Sequence, residues 1–280
     1  MSTISMPEEI TELLRYILFS DYIELDLSRK ETAISAIIIA NIESGKTSLI
    51  EQFAPNTGIL HITDLTAWGI QHKYINELKI GQIKRIIIPD MINPLNRKQE
   101  TVSGLITFLN AYISWEGVRT IMTYALQIEI KIPIRGSILT TIAIKDYKKL
   151  NKGLAAVGFL SRMMPITYSY DSETVSNILL EVAQETDGWR DINLAFPSSP
   201  VNINMESGLS VELIDRARKI GEQAGAYGFR AMKQLRVLTK CVALSDGRDE
   251  VREDDIDRVL YLTGKYIGYP VTKRTKKDGG

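Results

Sequence analysis

The chain has one cysteine, two histidines and no excess of either charge: 34 Lys and Arg face 34 Asp and Glu in 280 residues. A lone Cys241 excludes an internal disulfide and a cysteine-based zinc site. Zero net charge removes the simplest argument for nucleic-acid binding, a strongly basic domain. Long apolar runs are missing too. The longest, 33–40, is broken by Ser35 and falls far short of the roughly 20 residues a bilayer span needs. The first residues carry no basic-then-apolar leader. With 44% hydrophobic and 24% charged residues, the composition excludes disordered and collagen-like classes. The expectation is a soluble, cytoplasmic protein with a buried core. A basic cluster stands near the end, Lys273, Arg274, Lys276 and Lys277. A solvated tail is the first reading of it and a phosphate contact the second. His61 falls in a strand and His72 in a helical stretch (70–78). No nucleophilic triad can be built from either.

What is present is an alternation of two periods. Ser5-Met6-Pro7-Glu8 has capping-box spacing, and Ile10, Leu13, Leu14, Ile17 and Leu18 follow at helical intervals. Ala36-Ile37-Ile38-Ile39-Ala40 reads as a strand buried on both faces. Further strands are expected at 59–63, 85–88, 137–144 and 164–170, with helices at 46–53, 101–115 and 154–160. Between 127 and 135 the pattern becomes strict alternation, Ile128, Ile130, Ile132 and Ile134 against polar neighbours. It predicts a half-exposed strand paired in a hairpin with 118–125. Strands separated by helices imply an α/β core with a mainly parallel sheet. Beyond 172 the apolar strand runs stop. Pro197 and Pro200 mark a loop, and helices are expected at 211–224, 229–244 and 254–266.

The first strand runs into a polar turn, Asn41-Ile42-Glu43-Ser44, then Gly45-Lys46-Thr47-Ser48 and a helix. Strand, glycine-containing turn and helix are the arrangement that cradles a nucleoside triphosphate. Backbone N–H groups meet phosphate oxygens, Lys46 reaches the β- and γ-phosphates, and Thr47 ligates Mg²⁺. Ala40 stands where the full phosphate-loop pattern has its first glycine, a small-for-small departure. The competing reading is an ordinary Gly-Lys-Thr turn. Asp90, closing Arg85-Ile86-Ile87-Ile88-Pro89-Asp90, is the second candidate for holding the metal's shell.

From these motifs the chain resembles the AAA+ ATPases, and within them the minichromosome-maintenance helicases. Arg135-Gly136-Ser137-Ile138-Leu139-Thr140-Thr141 is similar to the family's fourth strand. Gly158-Phe159-Leu160-Ser161-Arg162-Met163-Met164-Pro165-Ile166 is similar to its segment before and into the fifth. The stretches Arg230 to Arg236 and Arg248 to Ile256 are similar to the closing helices of its lid. The resemblance implies a three-layer core with a five-stranded sheet in the order 5-1-4-3-2 and a C-terminal helical lid. The expected boundaries are an N-terminal helix and connector (1–32), core (33–175), lid (176–268) and basic tail (269–280). It further implies ATP and Mg²⁺ as ligands and a homo-oligomer, a hexameric ring or a filament. Arg162 would act as an arginine finger in trans, and Arg230 as the second sensor. Lys131 and Arg135 would be phosphate contacts of a channel hairpin acting on DNA. The alternatives are a helix-capping Arg162, a surface Arg230 and a solvent-facing edge strand for the last two.

The chain departs from the family where water would be activated. Met91 follows Asp90 where the family has Glu, and Ala143 stands at the first-sensor Asn. Asp64, at the end of the second strand, is the candidate replacement base. Glu43 is disfavoured because it would sit beside the polyphosphate. Two functions remain open. One is a DNA-directed ATPase that remodels, loads or translocates. The other is a nucleotide-gated assembly protein, read by protein partners, with weak or absent hydrolysis.

Overall fold

In the computed structural model, residues 8–122, 127–185 and 190–270 are described, with backbone alone for 122 and 127–129. Ser5, read as a helix cap, residues 123–126 and the cluster from Lys273 to Lys277 lie outside these residues.

The elements run α1 (Glu8–Phe19), β1 (Ser35–Ala40), α2 (Lys46–Glu51), β2 (Ile59–His61), α3 (Ala67–Lys73), α4 (Ile75–Lys79), β3 (Arg85–Ile88), α5 (Ile92–Leu95) and α6 (Gln99–Tyr112). They continue with β4 (Val118–Met122), β5 (Gln127–Ile134), β6 (Ser137–Ala143), α7 (Ile144–Ala156), β7 (Met163–Thr167), α8 (Ser172–Ala183), α9 (Ile214–Gln223), α10 (Phe229–Ser245) and α11 (Glu253–Tyr266). Five strands form one parallel sheet in the order β2-β3-β6-β1-β7. Counted among themselves these strands lie 5-1-4-3-2. The pair β4 and β5 forms a separate antiparallel hairpin between the third and fourth.

Period-two alternation along β1 sends its side chains into two cores, which is why the strand is apolar throughout. Ala36, Ile38 and Ala40 face α1, α2 and the C-terminal helices, together with Ile87, Leu139 and Ile166. Ile37 and Ile39 face the other way, with Ile86, Ile88, Ile138 and Ile142, against α3, α4, α6, α7 and the hairpin. The molecule is therefore three layers deep, with helices on both faces of a parallel sheet. The stripe of α1 is buried at all five expected positions, and α1 packs against α10 and α11. The helices α9, α10 and α11 thus share one core with α1 and one sheet face. Two glycines set the α9–α10 corner: Gly228 has φ 83°, and a Cβ on Gly221 would stand 2.3 Å from the Gly228 nitrogen.

Several expectations are corrected. The second strand stops at His61, short of 63, because β2 lies at the edge of the sheet, where among the described residues it pairs with β3 alone. The stretch 70–78 is two helices, broken at Tyr74, whose φ of −119° leaves the helical region. The helix expected at 154–160 begins at Ile144 and ends before Gly158, which has φ 70°. In the hairpin, Val118 pairs with Ile134 but Thr120 with Glu129, so two steps on β4 meet five on β5. The bulge expels Ile132, which is 78% exposed while Ile130 and Ile134 are buried. Helix α8 was not foreseen at all.

Candidate functional site

The phosphate-loop candidates gather at the carboxyl edge of the sheet, the edge where open α/β sheets bind ligands. After Ala40 the chain turns through two left-handed residues, Glu43 (φ 61°) and Gly45 (φ 72°). Lys46, the first residue of α2, folds back so that its Nζ donates to Asn41 O (3.2 Å). Ser44 Oγ donates to the same carbonyl (2.8 Å). The loop is held from outside by two tyrosines that sequence reasoning missed. Tyr168 and Tyr170, just past β7, both donate to Ser44 O, at 2.9 and 2.8 Å. Burial pushes both phenols up, and for Tyr168 the neighbouring Tyr170 adds to it. Their Tyr-x-Tyr spacing was a signal that both could reach one side, but not what lay there. Thr47 and Ser48 are half-buried at the helix start, while Asn41 and Glu43 are exposed.

Asp90 lies two residues past β3, half-buried, with Oδ1 accepting from Ile92 N (3.1 Å). Between it and the loop stands one strand, β6, whose Ala143 pairs with Ala40. At about 4.8 Å per strand spacing, the axes carrying Asp90 and the loop are roughly 10 Å apart. One hydroxyl and one carboxylate at this edge are donor types that Mg²⁺ takes when waters and phosphates supply the rest of its shell. Among the described residues no three His, Cys, Asp or Glu cluster as an all-protein metal cage.

The two departures have structural counterparts. Met91 is fully buried in the second core, and its N–H donates to Thr141 O (2.9 Å). Position 91 therefore points away from solvent, and Ala143 offers no polar atom. Asp64 is exposed and ion-paired with Arg97. The strands β3 and β6 separate β2 from β1, so the structure does not bring Asp64 beside the loop through adjacent strands.

A second cluster lies at the opposite edge. Arg162 immediately precedes β7, and six steps of extended chain put it about 20 Å from Tyr168. Its guanidinium donates to Gly158 O (2.6 Å), capping the end of α7. Arg230, on the first turn of α10, donates to Ser161 Oγ, and Gln234 Nε2 donates to Arg162 O (3.1 Å). Both arginines line a cavity of about 330 Å³ with Lys30, Lys233, Trp115 and Glu116. Burial lowers the Arg162 pKa, and the like charge of Arg230 lowers it further against Glu116. Among the described residues none of the four cations has a carboxylate within 4 Å. Lys30 lies 4.8 Å above the Trp115 ring instead.

The hairpin candidates separate. Lys131 is exposed on the bulge, whereas Arg135 is half-buried with Nε donating to Trp115 O (2.6 Å). His61 approaches Glu51 (3.5 Å), His72 stacks on Trp68, and Cys241 is buried. No described helix is long and apolar enough to cross a membrane. No protein-family model matches the chain, and no curated protein matches it.

Proposed function

We propose that this chain is an AAA+-type ATP-binding protein that assembles with the nucleotide held between subunits, and that assembly rather than rapid turnover is its principal output. One observation carries the reading: the candidate phosphate loop, and two arginines that have no carboxylate partner among the described residues, sit at opposite ends of the same strands. Arg162 cannot span about 20 Å to its own loop, but a head-to-tail neighbour presents its arginines to the next loop.

In this reading Lys46 exchanges Asn41 O for the β- and γ-phosphates, and the N–H groups of residues 44–48 cradle their oxygens. Tyr168 and Tyr170 hold the Ser44 peptide so that the cradle is preorganised. Thr47 and Asp90 would hold Mg²⁺, which would supply positive charge to offset that of the phosphates. Arg162 and Arg230 compensate charge on the terminal phosphate of the neighbour's nucleotide. Water activation is weakly provided for, since residue 91 is buried and residue 143 is alanine, and each missing polar group costs orders of magnitude in rate.

The alternative, DNA-directed turnover, is favoured by one feature, the exposed Lys131 on an outward bulge. The test is ATP binding and steady-state hydrolysis with and without single- and double-stranded DNA, with molecular size measured in parallel. The expected result is nucleotide-dependent assembly, lost in Lys46→Ala and in Arg162→Ala, with turnover that DNA does not stimulate. DNA-stimulated turnover would replace it with a motor, and absence of ATP binding would remove both.

A further inference from the structure

We infer that α8 of one copy docks into the apolar groove at the α9–α10 corner of the next, making the contact that carries Arg162 and Arg230 to the neighbour's phosphate loop. The inference rests on the reading of a nucleotide shared between subunits and names the surfaces that would join them.

Helix α8 is amphipathic, with Val175, Ile178, Leu179 and Val182 at i, i+3, i+4 and i+7, the spacing of a stripe made to be covered. Yet no residue of the helix is buried, and Leu179 is 63% exposed. Among the described residues no other helix or strand lies broadly against it. A twelve-residue helix gains little stability alone in water, so its apolar stripe calls for a partner.

A complementary surface stands at the other edge of the same molecule. Met163, Ile220, Ala224, Tyr227 and Phe229 line a groove of about 240 Å³. Tyr227 and Phe229 are stacked on each other and are 87% and 74% exposed. Large exposed aromatics beside an apolar groove are the composition of a binding hot spot. The charges agree as well. Helix α8 carries Glu173 in its first turn and no basic residue, while the groove lining includes Arg230 and no carboxylate.

Position selects a second copy as the occupant. Helix α8 begins two residues after Tyr170, which holds the phosphate loop, and the groove shares Arg230 and Gln234 with the cationic cavity. A single heterologous contact therefore covers both apolar surfaces and closes the loop with the arginines. The same patches remain free at the two ends of any dimer, so the contact propagates to a ring or filament.

Leu179→Cys and Tyr227→Cys report on this contact, since the native Cys241 is buried and silent. With ATP and Mg²⁺ present, a mixture of the two single variants treated with a short thiol cross-linker should yield a covalent dimer. Either variant alone should yield none. Cross-linking of Leu179→Cys alone would mean that α8 pairs with α8, and no product from the mixture would mean that the surfaces do not meet; either overturns the inference. Leu179→Asp, an exposed substitution, should raise the concentration for half-assembly by roughly tenfold or more. The dilute subunit's affinity for a fluorescent ATP analogue should stay intact. Unchanged assembly of this variant would also overturn the contact. Failure of the parent chain to bind the analogue, with the mixed cross-link still formed, would fault the nucleotide reading and leave the docking in place.

Discussion

The guanidinium of Arg85 lies 2.7 Å from the carboxylate of Asp21, and the two side chains are 1% and 4% exposed. Arg85 also donates to Ile34 O, Ile17 O and Ser20 Oγ, and Ser137 Oγ donates to Asp21 Oδ1 (2.6 Å). The pair thus bolts the end of α1 to the starts of β1, β3 and β6. Burial drives the Asp21 pKa up, and the Arg85 charge opposes it. Arg85→Met leaves a buried carboxylate without its partner and should cost about 3–5 kcal/mol in urea denaturation. Asp21→Asn combined with Arg85→Met should cost less than the two single losses added together.

Removing either phenol over the loop should loosen the cradle without touching the ligand. Tyr168→Phe and Tyr170→Phe each delete one hydrogen bond to Ser44 O, a loss of about 0.5–1.5 kcal/mol. Affinity for ATP measured by titration calorimetry should fall by roughly two- to tenfold in each. The double variant should be weaker than either single variant, because the carbonyl then has neither donor.

Two glycine substitutions should move stability in opposite directions. At Gly221 a Cβ meets backbone of Gly228 at 2.3 and 2.5 Å, and backbone cannot rotate away. Gly221→Ala should destabilise by about 1–3 kcal/mol, the cost of overpacking. Gly104, inside α6, has nothing within 4 Å of such an atom. Gly104→Ala should stabilise by about 0.5–1 kcal/mol through lower unfolded-state entropy. Thermal unfolding of both variants checks the pair of signs.

Acid should undo the contact of α1 with α11. Lys265, Tyr261 and Tyr266 hold the Glu9 carboxylate down to about 2 from the ordinary 4.5. For Glu12 burial pulls upward, but Arg258 and Tyr16 outweigh it and the pKa is lowered. A depressed carboxylate adds stability above its unfolded pKa and loses it as pH falls toward the folded one. The difference in Tm between parent and Glu9→Gln should be constant above about pH 5.5 and vanish as pH falls from 4.5 toward 2. Because the pair is part-exposed, that difference should stay within about 3 °C.

Asp64 already has a cationic partner in Arg97, and both side chains are exposed. Asp64→Asn should leave nucleotide binding and assembly unchanged, and fold stability within about 0.5 kcal/mol. A hydrolysis assay on the same protein decides its remaining role: loss of turnover with binding intact would make Asp64 the group that activates water.

What the chain encodes locally could be read from it directly. The stripe of α1, the doubly buried β1, the short strand 85–88, and the helices at 229–244 and 254–266 each depend on periodicity within a window of neighbours. The turn at 41–48 declared itself in the same way, by Gly45 between an apolar strand and a helix. Relations between distant segments could not be read, because they follow from the order in which strands lie side by side. That order puts Ala143 between the loop and Asp90, seats Tyr168 and Tyr170 on Ser44, and brings Arg230 to the residue before Arg162. The bulge at Ile132 arises from cross-strand register, which an alternating pattern does not specify. Helix α8 shows the limit most plainly. Its stripe is written in the sequence, but a stripe states only that a helix face needs covering, and only the tertiary structure decided that the rest of the fold leaves it bare.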